Sequence, residues 1–288
     1  MATGMFGLGQ IADIQARPHR LWMQGLSWVL FFVGVLTYMQ FSVARHRENA
    51  EDRVVPSATQ LVQGIKASVL EPAEEDDSLD ADAGLVTRVT HSMIWKDTAS
   101  SSRRFFISLI LLIPAILLGL HMAVFPYAEA VFLRFCLFFD KIVALSLLPI
   151  LFIIFGIDEW SKIMLMVIGV GPTLALDTYN IAKSVPREQV VKAFTLKSTN
   201  WDVAYRVILK QILPQVINSV RLNLKPLALF LFAGEMIASA DGLAYRIGIM
   251  RRHMGMDIII PYLLWVAVLL FGMDALLRFA NRRLHPWY

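Results

Sequence analysis

The chain has 288 residues, of which 57% are hydrophobic and only 17% charged, with a formal net charge of +4. Soluble domains run about 45–50% apolar, and the excess here is gathered in long stretches that carry no charge. So mild a charge, with no long basic cluster, excludes a nucleic-acid partner as the reading, and a single cysteine, Cys136, excludes a disulfide framework.

Six membrane spans are expected in chain order. Leu21–Ser42 has no charge over 22 residues, enough at 1.5 Å per residue to cross a hydrocarbon core of about 30 Å. Arg17 and Arg20 precede it, and no small-residue cleavage site follows, so it reads as a retained span. The second span, Phe105–Pro126, contains Pro114, which should kink it. The third run, from about Ala130 to Ile157, is interrupted by Arg134, Asp140 and Lys141. It is read as one tilted span with an interfacial lead-in, against the alternative of two short segments. Ile163–Ile181, Ile212–Ile237 and Ile258–Phe279 complete the set, giving an all-α membrane protein of six transmembrane helices. This divides the chain into an N-terminus (1–20), a first helix (21–42), an external segment (43–104), a five-helix core (105–283) and a tail (284–288).

Charge sets the expected orientation. The loop between spans four and five, residues 183–210, holds six basic residues against two acidic ones, a net of +4. Arg17, Arg20, Arg278, Arg282 and Arg283 fall on the same side, so the positive-inside rule makes that side cytoplasmic, with both termini there. Residues 44–104 then face outward, including the acidic tract Glu71–Asp82, which matches no EF-hand spacing and reads as a solvated linker. Arg221, Lys225 and Glu235 lie inside the fifth span. Charges in spans are expensive and usually face the bundle interior, and for Arg221 and Lys225 snorkelling or structural pairing is the competing reading.

Catalytic signatures are absent. There is no GxxxxGK[ST], HExxH, CxxC or GxSxG, and the six histidines lack metal-ligand spacing. His121, within a span, reads as structural before it reads as a proton relay. The chain is expected to provide a path rather than a reaction, with no cofactor of its own.

One cytoplasmic segment is more specific. It runs from Val191 through Lys192, Ala193, Phe194, Leu196 and Lys197 to Trp201, and Ile212-Leu213-Pro214 follows where the next span begins. It resembles the coupling loop of binding-protein-dependent ABC importer permeases, of the nitrate, sulfonate, taurine and bicarbonate type. Other pieces of that pattern occur in order: Val55-Pro56-Ser57, Leu148-Pro149 to Phe155-Gly156, Ser161-Lys162-Ile163, Ala233-Gly234-Glu235-Met236 and Asp241-Gly242-Leu243. There are departures: Val191 stands at the motif glutamate, Lys192 at the first alanine and Lys197 at the glycine, while Ala193 is kept. The proline-rich stretch before Leu148 is replaced by Asp140–Ala144.

The resemblance implies a bacterial inner-membrane permease that forms the translocation pathway for a small anion. It implies a cytoplasmic ABC ATPase dimer, carrying ATP and Mg, that grips residues 187–202. A second permease and an extracytoplasmic solute-binding protein complete the assembly. Asp140, Lys141, Arg221, Lys225 and Glu235 are the pathway candidates, with Glu235 expected to be mainly structural. The alternative is a secondary transporter driven by an ion gradient, which should show inverted repeats.

Overall fold

A computed structural model describes residues 20–48, 55–70 and 92–287. The first 19 residues and the acidic tract fall outside them. The chain divides into two units, residues 1–60 and 61–288. Every described residue in a regular element is helical, apart from a single bridge residue at Ser92.

In the first unit, α1 (Arg20–Glu48) presents apolar side chains outward along its length, including Trp28, Leu30, Leu36 and Phe41. A helix apolar all round suits lipid rather than water. At its end the Val55-Pro56-Ser57 segment folds back. Tyr38 and Ser42 donate hydrogen bonds to the Pro56 carbonyl, which no helix neighbour satisfies.

The second unit begins with the last residues of α2 (Ala58–Leu70). Long helices that can cross a membrane then organise the bundle. α3 (Met93–Leu111) and α4 (Ile113–Val124) form one span, broken at Leu112 as Pro114 requires. α7 (Glu159–Lys183) is the central helix, and its Asp158 cap accepts from the Glu159 amide. α9 (Leu209–Leu222) and α10 (Leu224–Ala238) form a span interrupted at Asn223, and α12 (Met256–Leu284) is the last. α11 (Leu243–Arg252) is a short helix between them.

The expected third span is different. α5 (Pro126–Asp140) and α6 (Leu148–Phe155), joined through a 3₁₀ turn at Ala144–Leu147, are bent by 89°. The run is not a straight tilted helix: it is two short segments that make either one broken span or a re-entrant loop. Asp140, Lys141 and the β-branched Ile142-Val143 pair interrupt the helix where a straight span needs it continuous. Among the described residues, five helices are long and apolar enough to cross a membrane, and six if the bent pair is one span.

Packing follows the apolar stripes. Phe105, Leu112, Met166, Val170, Leu227 and Leu231 make the largest buried cluster, around α7. A second cluster, Leu120, Ala182, Ala193, Val203, Ile208 and Ile212, lies toward the C-terminal end of α7. Small residues allow close approach along α7: a Cβ on Gly169 would stand 2.6 Å from the Phe230 ring. Large apolar side chains such as Ile153, Phe271 and Leu276 point outward, as a lipid-facing surface requires.

Candidate functional site

Three regions at different heights of the second unit carry its polar chemistry. The first is the loop after α7. Pro186 opens α8 (Arg187–Thr195), and Glu188 in its first turn favours the helix dipole. Ala193 turns inward against Val203, Ile208 and Ile212. Val191, Phe194 and Leu196 are exposed, Leu196 at 80%. Within the segment expected to be gripped by a partner, Ala193 is therefore not part of the exposed face: it is 7% exposed, and its small side chain lets α8 lie close on the helix that follows.

Lys197 stands at the motif glycine position and adopts the glycine conformation, with φ of 62°. Its amide donates to the Phe194 carbonyl (2.9 Å), and the Ser198 amide reaches back to the Ala193 carbonyl (3.3 Å). These bonds close the C-terminus of α8 in the manner usually given to glycine. The lysine side chain is exposed.

Thr199 and Asp202 then form a reciprocal capping box that starts the next helical turn, Asn200–Asp202. Trp201 stacks on Tyr205 (5.9 Å between ring centroids, 12° between planes) and lies 5.1 Å from Phe125. His121 is anchored in this group. Its Nδ1 is 2.7 Å from the Leu117 carbonyl oxygen, and its Nε2 is 2.9 Å from the Tyr205 hydroxyl. Both ring nitrogens are thus occupied locally. Tyr205 sits in a π-helical stretch, Val203–Ile208, a form often found at functional positions. A cleft of about 630 Å³ borders α8, lined by residues including Phe125, Lys183, Val190, Val191 and Phe194.

The second region is at the other end of α7. Arg104, 2% exposed, holds three carboxylates. Its Nε and Nη2 donate to Glu159 at 2.6 and 2.7 Å, and its Nη1 to Glu235 at 2.8 Å. Asp241 meets it through both its carboxylate and its carbonyl. Glu235, fully buried, also accepts from Ser101 and from the Ala244 amide. Asp97 accepts from the Gly242 amide, Arg246 and Tyr262. Gly242 has φ of 119°, and a Cβ there would lie 2.7 Å from the Glu235 carboxyl carbon. Burial pushes the Asp241 carboxyl up, but hydrogen bonds from Ser100 and Arg104 outweigh it and hold it below the ordinary range. Both Glu235 oxygens are thus engaged by this network. Sequence reasoning passed over Arg104, Glu159 and Asp97. The one legible signal was Arg104 at the edge of the charge-free run that begins at Phe105.

The third region is half-way along α7. Asp140 accepts from Thr173 (2.8 Å) and from Lys141 (2.9 Å), and Lys141 is 78% exposed. Asp177, one turn on from Thr173, is held by Ser219 and Asn223. Lys225 is exposed and makes no ion pair among the described residues. Arg221 lies 3.4 Å from Asp274, in ion-pair range but off line for a hydrogen bond, and Asp274 also binds Arg278 at 2.6 Å. Pairing rather than snorkelling describes Arg221. Of the five pathway candidates, the structure brings Asp140 and Lys141 into contact, buries Glu235 at one end and places Arg221 and Lys225 on α9 and α10.

The second unit is thus a multi-span helical bundle with one sharply bent helix pair and an exposed short helix tethered between two spans. The profile of the binding-protein-dependent transport system inner membrane components matches residues 104–286, more than half of the chain, and the chain belongs to that family. A taurine transport system permease protein, TauC, of Escherichia coli strain K12 is 26% identical over 196 residues, covering 68% of this chain and 71% of that protein. A probable ABC transporter permease protein of Brucella melitensis is 28% identical over 203 residues, covering 70% and 82%. The solved inward-facing MetNI methionine ABC transporter shares the fold, with a TM-score of 0.51 and 20% identity over 67% of this chain and 92% of that one. The protein is a multi-pass inner-membrane permease subunit of the ABC importer type.

Proposed function

We propose that this subunit forms half of the pathway for a small sulfonate-like or nitrate-like anion, and that α8 with residues to Trp201 is its contact with a cytoplasmic ATPase dimer. The observation that carries the coupling is the exposed apolar face Val191, Phe194 and Leu196 on a helix tethered at both ends by membrane spans. A grip on that face moves α7 and α9 together, because Ala193 is packed into the cluster they share. Lys192 and Lys197 add exposed positive charge to it. Support for the solute comes from relatives named for taurine and, in Bacillus subtilis and Escherichia coli, for aliphatic sulfonates; another, from Halalkalibacterium halodurans, is named for formylaminopyrimidine. A second permease closes the pathway, a binding protein delivers the solute, and ATP and Mg reside on the ATPase. Both termini lie in the cytoplasm with α8.

Reconstitution tests the reading. Proteoliposomes containing this permease, its ATPase and its binding protein should take up ethanesulfonate or taurine only with ATP on the cytoplasmic face. Uptake driven by a proton or sodium gradient without ATPase would establish a secondary transporter instead. Topology is checked with Cys136→Ala chains carrying Glu75→Cys or Ser198→Cys. An impermeant thiol reagent should label the first in intact cells and not the second.

A further inference from the structure

Contacts between α7 and the span formed by α9 and α10 set an antiparallel register. Gly234 lies against Lys162, Gly169 against Phe230, and Asp177 against Ser219 and Asn223. The same register brings Thr173 level with Lys225. Thr173 donates to Asp140, the last residue of α5, so Asp140 and Lys141 occupy that level too. At 1.5 Å per residue the level is about 15 Å from Lys183 and about 21 Å from Glu159, near the middle of a hydrocarbon core of about 30 Å.

Three observations make this level unlike a lipid-facing surface. Lys225 is exposed in a stripe otherwise formed by Leu222, Leu229 and Ile237, with no carboxylate partner among the described residues. A lysine stem of about 6 Å does not reach headgroups from the centre, so snorkelling leaves the ammonium in hydrocarbon. The backbone is non-helical at Lys141–Val143, where Lys141 and Val143 are exposed, and broken backbone at membrane depth is tolerated only against protein or a water-filled cavity. Both elements flank one cluster, since Phe230 packs against the group that Ala144 and Leu148 form. Asp140 neutralises Lys141, and Asp177, a turn away, is turned between helices toward Ser219. At this level Lys225 is the charge that has no ion-pair partner among the described residues.

We infer that Lys225, supported by the Lys141–Asp140–Thr173 group at the same depth, is an anion-binding station half-way across the membrane, fitted to a single compact oxyanion head such as a sulfonate or carboxylate. This rests on the permease reading and adds to it the residues that meet the solute in transit. The ammonium replaces part of the hydration shell that the anion sheds. Its lone charge favours release as well as binding, which a path needs and a tight site does not provide.

Cysteine accessibility tests it in the complete complex in proteoliposomes, with Cys136→Ala and a reporter thiol introduced by Leu229→Cys, one turn from Lys225. The anionic sulfonatoethyl methanethiosulfonate should label the reporter thiol faster than the cationic trimethylammonium reagent. Lys225→Gln should lower that rate ratio about tenfold, Lys225→Arg should preserve it, and Lys141→Gln should lower it about two- to threefold. Added ethanesulfonate should slow labelling with Lys225 present and not in Lys225→Gln. A ratio unchanged in Lys225→Gln overturns the station, as does a reporter thiol that only a lipid-soluble maleimide reaches. Failure of ATP-driven uptake with these rates as expected would count against the permease reading alone.

Discussion

The two ends of α7 solve opposite problems. At Glu159 the helix enters a network in which Arg104, Glu235, Asp97 and Gly242 have no freedom left, each donor matched to an oxygen. At Lys183 it leaves into a segment that keeps Val191, Phe194, Leu196 and Lys197 exposed and closes its helix on a lysine in the left-handed region. One end joins five helices into a body able to move as a unit. The other is the handle we propose for that body. A partner's force on α8 can tilt the bundle only if the far end does not come apart.

Breaking the buried end should have the largest effect. Arg104→Met leaves Glu235 charged and unpaired inside the protein and should cost about 3–5 kcal/mol, seen as a fall in Tm or loss of folded protein from membranes. Gly242→Ala, which forces a Cβ onto the Glu235 carboxyl at a positive φ, should destabilise by about 1–3 kcal/mol in the same assay. A Tm unchanged in both would show that this end is not the joint.

The exposed end should respond in assembly rather than stability. Leu196→Asp should change Tm little, within about 0.5 kcal/mol, yet reduce copurification of the ATPase about tenfold or more. Lys197→Gly should relieve the left-handed backbone and raise stability by about 1 kcal/mol, measured by Tm. Lys197→Glu sharpens the comparison further: weakened ATPase copurification, restored by a charge reversal on the partner, would place the lysine in the docking surface.

The smallest effect expected is that of pH. Asp241 has a depressed carboxyl in the folded state, so its contribution is complete above the ordinary carboxylate value of about 4 and is lost as pH falls through the lower folded value. Tm should decline more steeply in acid for the natural chain than for Asp241→Asn. Its partial exposure keeps this contribution small.

Much of the segment from α8 to Trp201 was legible because its features are local. Exposure of Val191, Phe194 and Leu196 follows from where a short helix lies, and Lys197 at a glycine position announced a backbone demand that φ then displayed. The charges along α5 and α10 were half legible: Asp140, Lys141 and Lys225 drew attention as charges inside spans, but nothing local showed that Thr173 of α7 would hold Asp140. The 89° bend between α5 and α6 was not legible, since composition reports how apolar a run is and not the angle at which it breaks. Arg104 escaped notice because, read along the chain, it is an ordinary arginine at a span edge.

By itself the sequence determined where the chain can cross a membrane, since each span must satisfy its own backbone in a helix and hide its charges, a demand that leaves a mark residue by residue. It also marked the short polar segment between two such runs, residues 183–210. Only the tertiary structure decided which charges meet. Arg104 and Glu235 are 131 residues apart, and Thr173 reaches Asp140 across 33. Such pairings depend on the register of helices packed through Gly169 and Phe230, a property of contacts between distant residues that no local pattern records.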